Sequence, residues 1–230
     1  MRWIIGYLFA ACLVLVILSQ SIIFPTFFMP FFSWQYERLD VAATIQVEED
    51  ELMRVTGELL DYMRGNRPAL YDIYATVAGE ERRFFSDIEI RHMVDVLDLY
   101  NIAFTIRNVA FFLGVGLVLA MVLLKYETLA TLARCTREVL IGFLTLTTIL
   151  VALIAINFNR AFTIFHELFF NNNYWILDAR VDLLINMVPL SFFIHISIFI
   201  GALIVVSSGI IITASTLYLR SIPKTGFNLS

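Results

Sequence analysis

Ser86-Asp87-Ile88-Glu89-Ile90-Arg91-His92-Met93-Val94-Asp95-Val96-Leu97-Asp98-Leu99 is the stretch on which the fold turns. Serine followed three residues later by glutamate is a capping box, Ser86 at N-cap and Glu89 at N3, so a helix starts here. Glu89, His92, Val96 and Leu99 then share one face, and Asp95 lies about one turn beyond His92. Arg91 and Asp95 have the i,i+4 spacing of an ion pair. No proline interrupts the chain between this start and the apolar segment 105–124. One helix can therefore run from a charged surface into a membrane, with His92 well above the hydrocarbon at about 1.5 Å per residue. A histidine that carboxylates can hold in one tautomer suits acid–base work near neutral pH. The plain alternative is a solvated, salt-bridged helix start.

Outward from this stretch the composition is that of an integral membrane protein. It is 60% apolar and 16% charged, with 21 phenylalanines and a mean hydropathy of +0.81. Four segments are long enough to span, about residues 3–24, 105–124, 139–157 and 188–216. The first has no small-x-small cleavage site and reads as a retained anchor. The fold class is a mainly α polytopic membrane protein with a small α+β extracellular cap. Its segments run as follows: 1–33, first transmembrane helix and interfacial exit; 34–104, cap; 105–124, second transmembrane helix; 125–138, cytoplasmic loop; 139–157, third transmembrane helix; 158–187, extracellular interfacial loop; 188–216, fourth transmembrane helix; 217–230, cytoplasmic tail.

Charge gives the orientation. Arg2, Lys125, Arg134, Arg137, Arg220 and Lys224 face only Glu127 and Glu138 on one side, so that side is cytoplasmic and both termini lie inside. The other side is acidic on balance and carries the cap. No basic patch points to nucleic acid. Cys12 falls in the first span and Cys135 in the 125–138 segment, so neither a disulfide framework nor a thiol nucleophile is expected on the histidine side.

Along the chain, Pro25 and Pro30 interrupt the first helix among Phe24, Phe27, Phe28, Phe31, Phe32 and Trp34, an aromatic belt or an acyl-chain wall. Residues 36–46 alternate, with Leu39, Val41, Ala43 and Ile45 on one face, and predict a short strand. From Glu48 to Arg64, Leu52, Val55, Leu59 and Met63 recur at helical spacing, acids enrich the start, and Gly65 marks the end. A second strand within 70–77 is weakly indicated. Arg107 and Asn108, at the outer end of the second span, should face protein or interfacial water. Asn157-Phe158-Asn159-Arg160 and Phe165-His166-Glu167-Leu168-Phe169-Phe170-Asn171-Asn172-Asn173-Tyr174-Trp175-Ile176-Leu177-Asp178 describe an interfacial segment. Span parity puts His166 on the side of His92. His195, inside the fourth span, is expected to bridge helices.

The Glu-x-x-His-Met-x-Asp-Val run (89–96) and the Phe-His-Glu-x-Phe-Phe-x-Asn-x-x-Trp-x-Leu-Asp run (165–178) resemble those of the lipoprotein intramolecular transacylases, the Lit family. The likeness extends over the whole chain in span order and cap placement. It implies a four-span membrane protein of Gram-positive bacteria whose partner is a diacylglyceryl lipoprotein in membrane lipid. It further implies transfer of the sn-2 acyl chain to the α-amino group of the lipoprotein's N-terminal cysteine, giving the lyso form. By the family pattern the catalytic histidines map onto His92 and His166. His92 would be the general base, oriented by Asp95 or Glu89, and His166 the oxyanion stabiliser or acid. Arg91, Tyr174 and Trp175 would support them.

The chemistry is consistent with this. Nucleophile and ester belong to one substrate, so no enzyme nucleophile is needed. Counting from amine nitrogen to ester carbonyl carbon gives an eight-membered cyclic transition state, whose closure depends on orientation. No cofactor is called for. A di-iron centre would require a second Glu-x-x-His and two more glutamates, and Glu89-x-x-His92 occurs once. The alternative from another class is a non-enzymatic membrane sensor or partner subunit with an extracellular cap.

Overall fold

The computed structural model describes residues 1–222. Lys224, counted above on the inner face, and the other tail residues from 223 to 230 lie outside the described residues. The elements are α1 (Arg2–Thr26), α2 (Met29–Leu39), α3 (Val41–Ile45), α4 (Glu49–Met63), β1 (Tyr74–Val77), β2 (Glu80–Arg83), α5 (Asp87–Leu123), α6 (Thr128–Ile156), α7 (Phe158–Phe169), α8 (Leu184–Met187) and α9 (Leu190–Ser221). Among them α1, α5, α6 and α9 are long and apolar enough to cross a membrane. The chain divides into two compact units.

The first unit comprises residues 1–22, 103–156 and 199 onward, the apolar lengths of the four long helices. Small residues take several inward positions, Ala10, Cys12, Ala110, Ala133 and Cys135, beside the fully buried Met121 and Leu140, while many leucines and isoleucines point outward. That pattern suits helices whose surroundings are as apolar as their interior. Gly6 lets α1 close on α6, since a Cβ there would stand 2.8 Å from Cys135 Sγ. Tyr7 donates to Glu138 at 2.7 Å and Arg2 pairs with Glu127 at 3.5 Å, fastening the same ends. The segment expected as a loop over 125–138 is helical from Thr128, which leaves a connection of a few residues with Lys125 at φ 56°.

The second unit comprises residues 23–102 and 157–198. Its α4 forms where the spacing of Leu52, Val55, Leu59 and Met63 predicts it, and these side chains are buried. The strand expected over 36–46 does not form; the segment belongs to α2 and α3. Val41 and Ile45 are buried while Ala43 between them is exposed, a four-residue period that fits a helix. Asp40, left-handed at φ 50°, separates the two helices and shifts their phase, which produced the false alternation. Tyr36 and Thr56 share a buried hydrogen bond of 2.9 Å that ties α2 to α4.

β1 and β2 form an antiparallel hairpin, Tyr74 opposite Arg83 and Val77 opposite Glu80. Its turn, Ala78-Gly79, has both φ angles positive, the geometry of a two-residue hairpin loop. The Ala78 N–H donates to Gln46 C=O at 2.8 Å, fixing the tip. The outer edge of β1 is occupied by α4: Arg54 donates to Tyr74 C=O at 2.6 Å and Thr76 N–H donates to Glu51 at 3.1 Å. The edge of β2 carries only charged side chains. Phe84 and Phe85, both fully buried, then anchor the chain at the start of α5.

Candidate active site

α5 begins as its capping box dictates. Ser86 N–H donates to Glu89 Oε2 at 2.6 Å, and Glu89 N–H reaches Ser86 Oγ at 3.4 Å. The continuous helix holds 37 residues, about 55 Å, against a hydrocarbon thickness of about 30 Å. Its first turns therefore stand outside the span.

Glu89 is 1% exposed, and its second oxygen accepts from Leu184 N–H at 2.5 Å. Burial raises its pKa while these hydrogen bonds oppose the shift. Ser86 Oγ also donates to Asp182 Oδ1 at 2.9 Å, and Asp182 Oδ2 accepts from Asp178 N–H at 2.8 Å. Two carboxylates thus bind the end of the 170–184 strap to the start of α5. Neither Glu89 nor Asp95 bonds to His92, so the orienting role expected of them is not direct.

One turn on, His92 is 8% exposed, its ring 5.9 Å from that of His166 and 5.3 Å from Phe170. Its Nδ1 is buried with no hydrogen-bond partner. Burial, reinforced by His166 and opposed by Asp95, lowers its pKa to about 4. His166, on α7, is 6% exposed and lies among Phe162, Phe165, Phe170 and Trp175, with centroids 4.3 to 5.5 Å away. Its Nδ1 lies 2.7 Å from Phe162 C=O, which accepts the Nδ1–H and fixes the tautomer. Nε2 then carries the lone pair. Burial lowers this pKa as well. Both rings are neutral bases at pH 7.

The strap supplies residues that the sequence reading missed. Asn172 Nδ2 donates to Asp95 Oδ2 at 2.8 Å, Asn172 Oδ1 accepts from Tyr174 N–H at 3.0 Å, and Asn172 C=O accepts from Trp175 Nε1–H at 3.0 Å. Arg91 lies over the Tyr174 ring at 5.6 Å instead of pairing with Asp95. Tyr174 thus lies beside Arg91, and Trp175 beside His166. His195 is apart from the pair; its Nδ1–H donates to the buried Gln35 Oε1 at 2.8 Å, a bridge between α9 and α2. Asn172 and Asp182 carried no local signal beyond a polar run and a lone acid.

Four helices long and apolar enough to span, and a compact second unit that encloses two imidazoles, define a polytopic membrane protein. The sequence model of the lipoprotein intramolecular transacylase Lit family matches residues 7–193, and the chain belongs to that family of membrane enzymes. The fold is similar to that of the membrane-integral lipoprotein intramolecular transacylase Lit from Bacillus cereus, with TM-score 0.76 and 22% identity over 96% of both chains. Two variants of that Bacillus cereus protein, with a histidine replaced by alanine or by arginine, are similar at TM-score 0.71 and 20% identity. They cover 96% of this chain and 94% and 92% of their own. No curated protein matches the chain.

Proposed function

We propose that this chain moves the sn-2 acyl group of a diacylglyceryl lipoprotein onto the α-amino group of its N-terminal cysteine, with His92 and His166 carrying the proton. The observation that supports it is the pair of buried, neutral imidazoles whose rings are 5.9 Å apart. The new bond joins nitrogen to the acyl carbon, the bond from that carbon to the glyceryl oxygen breaks, and the nitrogen's proton ends on that oxygen. A neutral imidazole can take the first proton and return it without a charged resting state. The Phe162 carbonyl favours His166 as the group that accepts the proton, through Nε2. His92, held by no such bond, is then free to present N–H to the ester oxygen, the reverse of the division drawn from sequence. The walls of Phe165, Phe170 and Trp175 would exclude water, which matters because hydrolysis competes with an eight-membered closure. The cap is assigned to the outer face and both termini to the cytoplasm, as short-loop charge indicates.

The test uses purified protein and a diacylglyceryl lipoprotein. Transfer within one molecule leaves the intact mass unchanged, so the readout is tandem mass spectrometry of the N-terminal peptide together with amine labelling. The expected product has an N-linked acyl chain and an unreactive amine. An amine that stays reactive after prolonged incubation rejects the reading.

A further inference from the structure

Asp95 sits one turn beyond His92, half-buried, with its charge felt at that ring. Its Oδ2 is taken by Asn172, whose own orientation is fixed because Oδ1 must face the Tyr174 N–H. Among the described residues nothing bonds to Asp95 Oδ1, and no cation pairs with the carboxylate. Arg91, the partner its spacing predicts, lies over Tyr174. Beside it the Nδ1 of His92 is buried and unpartnered. An unpaired carboxylate oxygen next to an unpartnered imidazole nitrogen is the complement of a primary amine, which brings positive charge and several N–H groups. We propose that Asp95, held in place by Asn172, binds the α-amino group of the lipoprotein's N-terminal cysteine and stabilises the positive charge that forms on its nitrogen during attack on the ester.

This assignment rests on the acyl-transfer reading above and adds the nucleophile's binding site to it. As nitrogen bonds to the acyl carbon it becomes cationic, until a histidine removes its proton and the glyceryl oxygen receives one. A fixed carboxylate lowers the energy of that stage. The same charge also favours the resting ammonium, so it raises the amine's pKa from a free value of about 7.7–8.0. The other charged or titratable groups around Asp95 are Arg91, Asp98 (exposed, one turn further along α5), Glu167 of α7 (exposed), and the His92 and His166 rings, both of which burial holds below the usual imidazole value.

Asp95→Asn keeps the shape and removes the charge. Its plateau rate should fall about 10²-fold, while the acid limb of the kcat–pH profile moves to lower pH. A structural role alone would lower the rate at every pH and leave the limb where it was. Asp95→Glu should restore part of the rate and the limb position. Binding provides a readout that needs no turnover: wild type should prefer an S-diacylglyceryl lipopeptide with a free amine over its N-acetylated form, and Asp95→Asn should lose that preference. If Asp95→Asn does not fold, the same binding comparison on Asn172→Ala decides, because a released carboxylate should discriminate less. A wild-type enzyme that performs acyl transfer, with an unmoved limb or unchanged amine preference in these variants, overturns the assignment of Asp95. A wild-type enzyme that performs no transfer overturns the acyl-transfer reading itself.

Discussion

Holding an imidazole neutral in an apolar pocket ties stability to pH. His92 takes up its proton near 4 when folded, against 6.5 when free, so between these values the unfolded chain binds a proton that the folded one refuses. Its contribution is intact above about 6.5 and is lost as pH falls toward 4, about 2 kcal/mol between pH 7 and pH 5. Glu89 acts in the opposite sense, since its folded pKa lies above 4.5: its contribution is present in acid and declines as pH rises through that folded value. Thermal unfolding in detergent should therefore occur at lower temperature at pH 5 than at pH 7, and His92→Asn should narrow the difference; an unchanged difference would assign the dependence to other groups. In turnover, His92→Asn and His166→Asn should each slow acyl transfer about 10²–10⁴-fold. The double variant should be little worse than either, because groups acting on one proton are not additive. His195→Asn, with its ring committed to Gln35, should cost far less. Both site histidines were legible because each stands in a distinctive local run. Asn172 and Asp182 were not, because their meaning lies in bonds to Asp95 and Ser86, 77 and 96 positions away.

Among the elements, α5 was legible from its first turn because a capping box is a local device, and α4 because one helix buries one stripe. The break at Asp40 was invisible as a break, since the phase shift it introduces between α2 and α3 reads as the alternation of a strand. The hairpin was half-seen: Ala78-Gly79 is a weaker turn signal than Asn-Gly, and Glu80, Glu81, Arg82 and Arg83 show no apolar alternation. The strap depends on long-range partners as well. Glu89 accepts two backbone N–H groups, one from its own helix start and one from Leu184. Glu89→Gln would turn an amide donor toward one of these donors. We expect a loss of about 1–3 kcal/mol and faster hydrogen exchange at 178–184 than elsewhere in the second unit. Exchange at the wild-type rate would mean that other contacts hold the strap.

For the molecule as a whole, the four spans were legible because twenty apolar residues have few other uses, whereas their true ends were set by helix geometry that composition does not encode. Orientation rests on charge and is open to direct measurement. In a Cys12→Ser, Cys135→Ser background, which should keep its activity, Asn66→Cys and Arg180→Cys should react with an impermeant maleimide on intact cells. Protection of both would invert the map. The hairpin carries a different consequence. Copies confined to one membrane hold their hairpins at a common height and meet edge to edge far more often than molecules tumbling in solution. A bare strand edge in that setting would seed sheets that run from one copy to the next. Here one edge is already filled by Glu51 and Arg54, and the other is only four residues long and lined by two acids and two arginines, whose desolvation opposes pairing with a neighbour. The hairpin therefore offers a crowding neighbour little bare edge to extend.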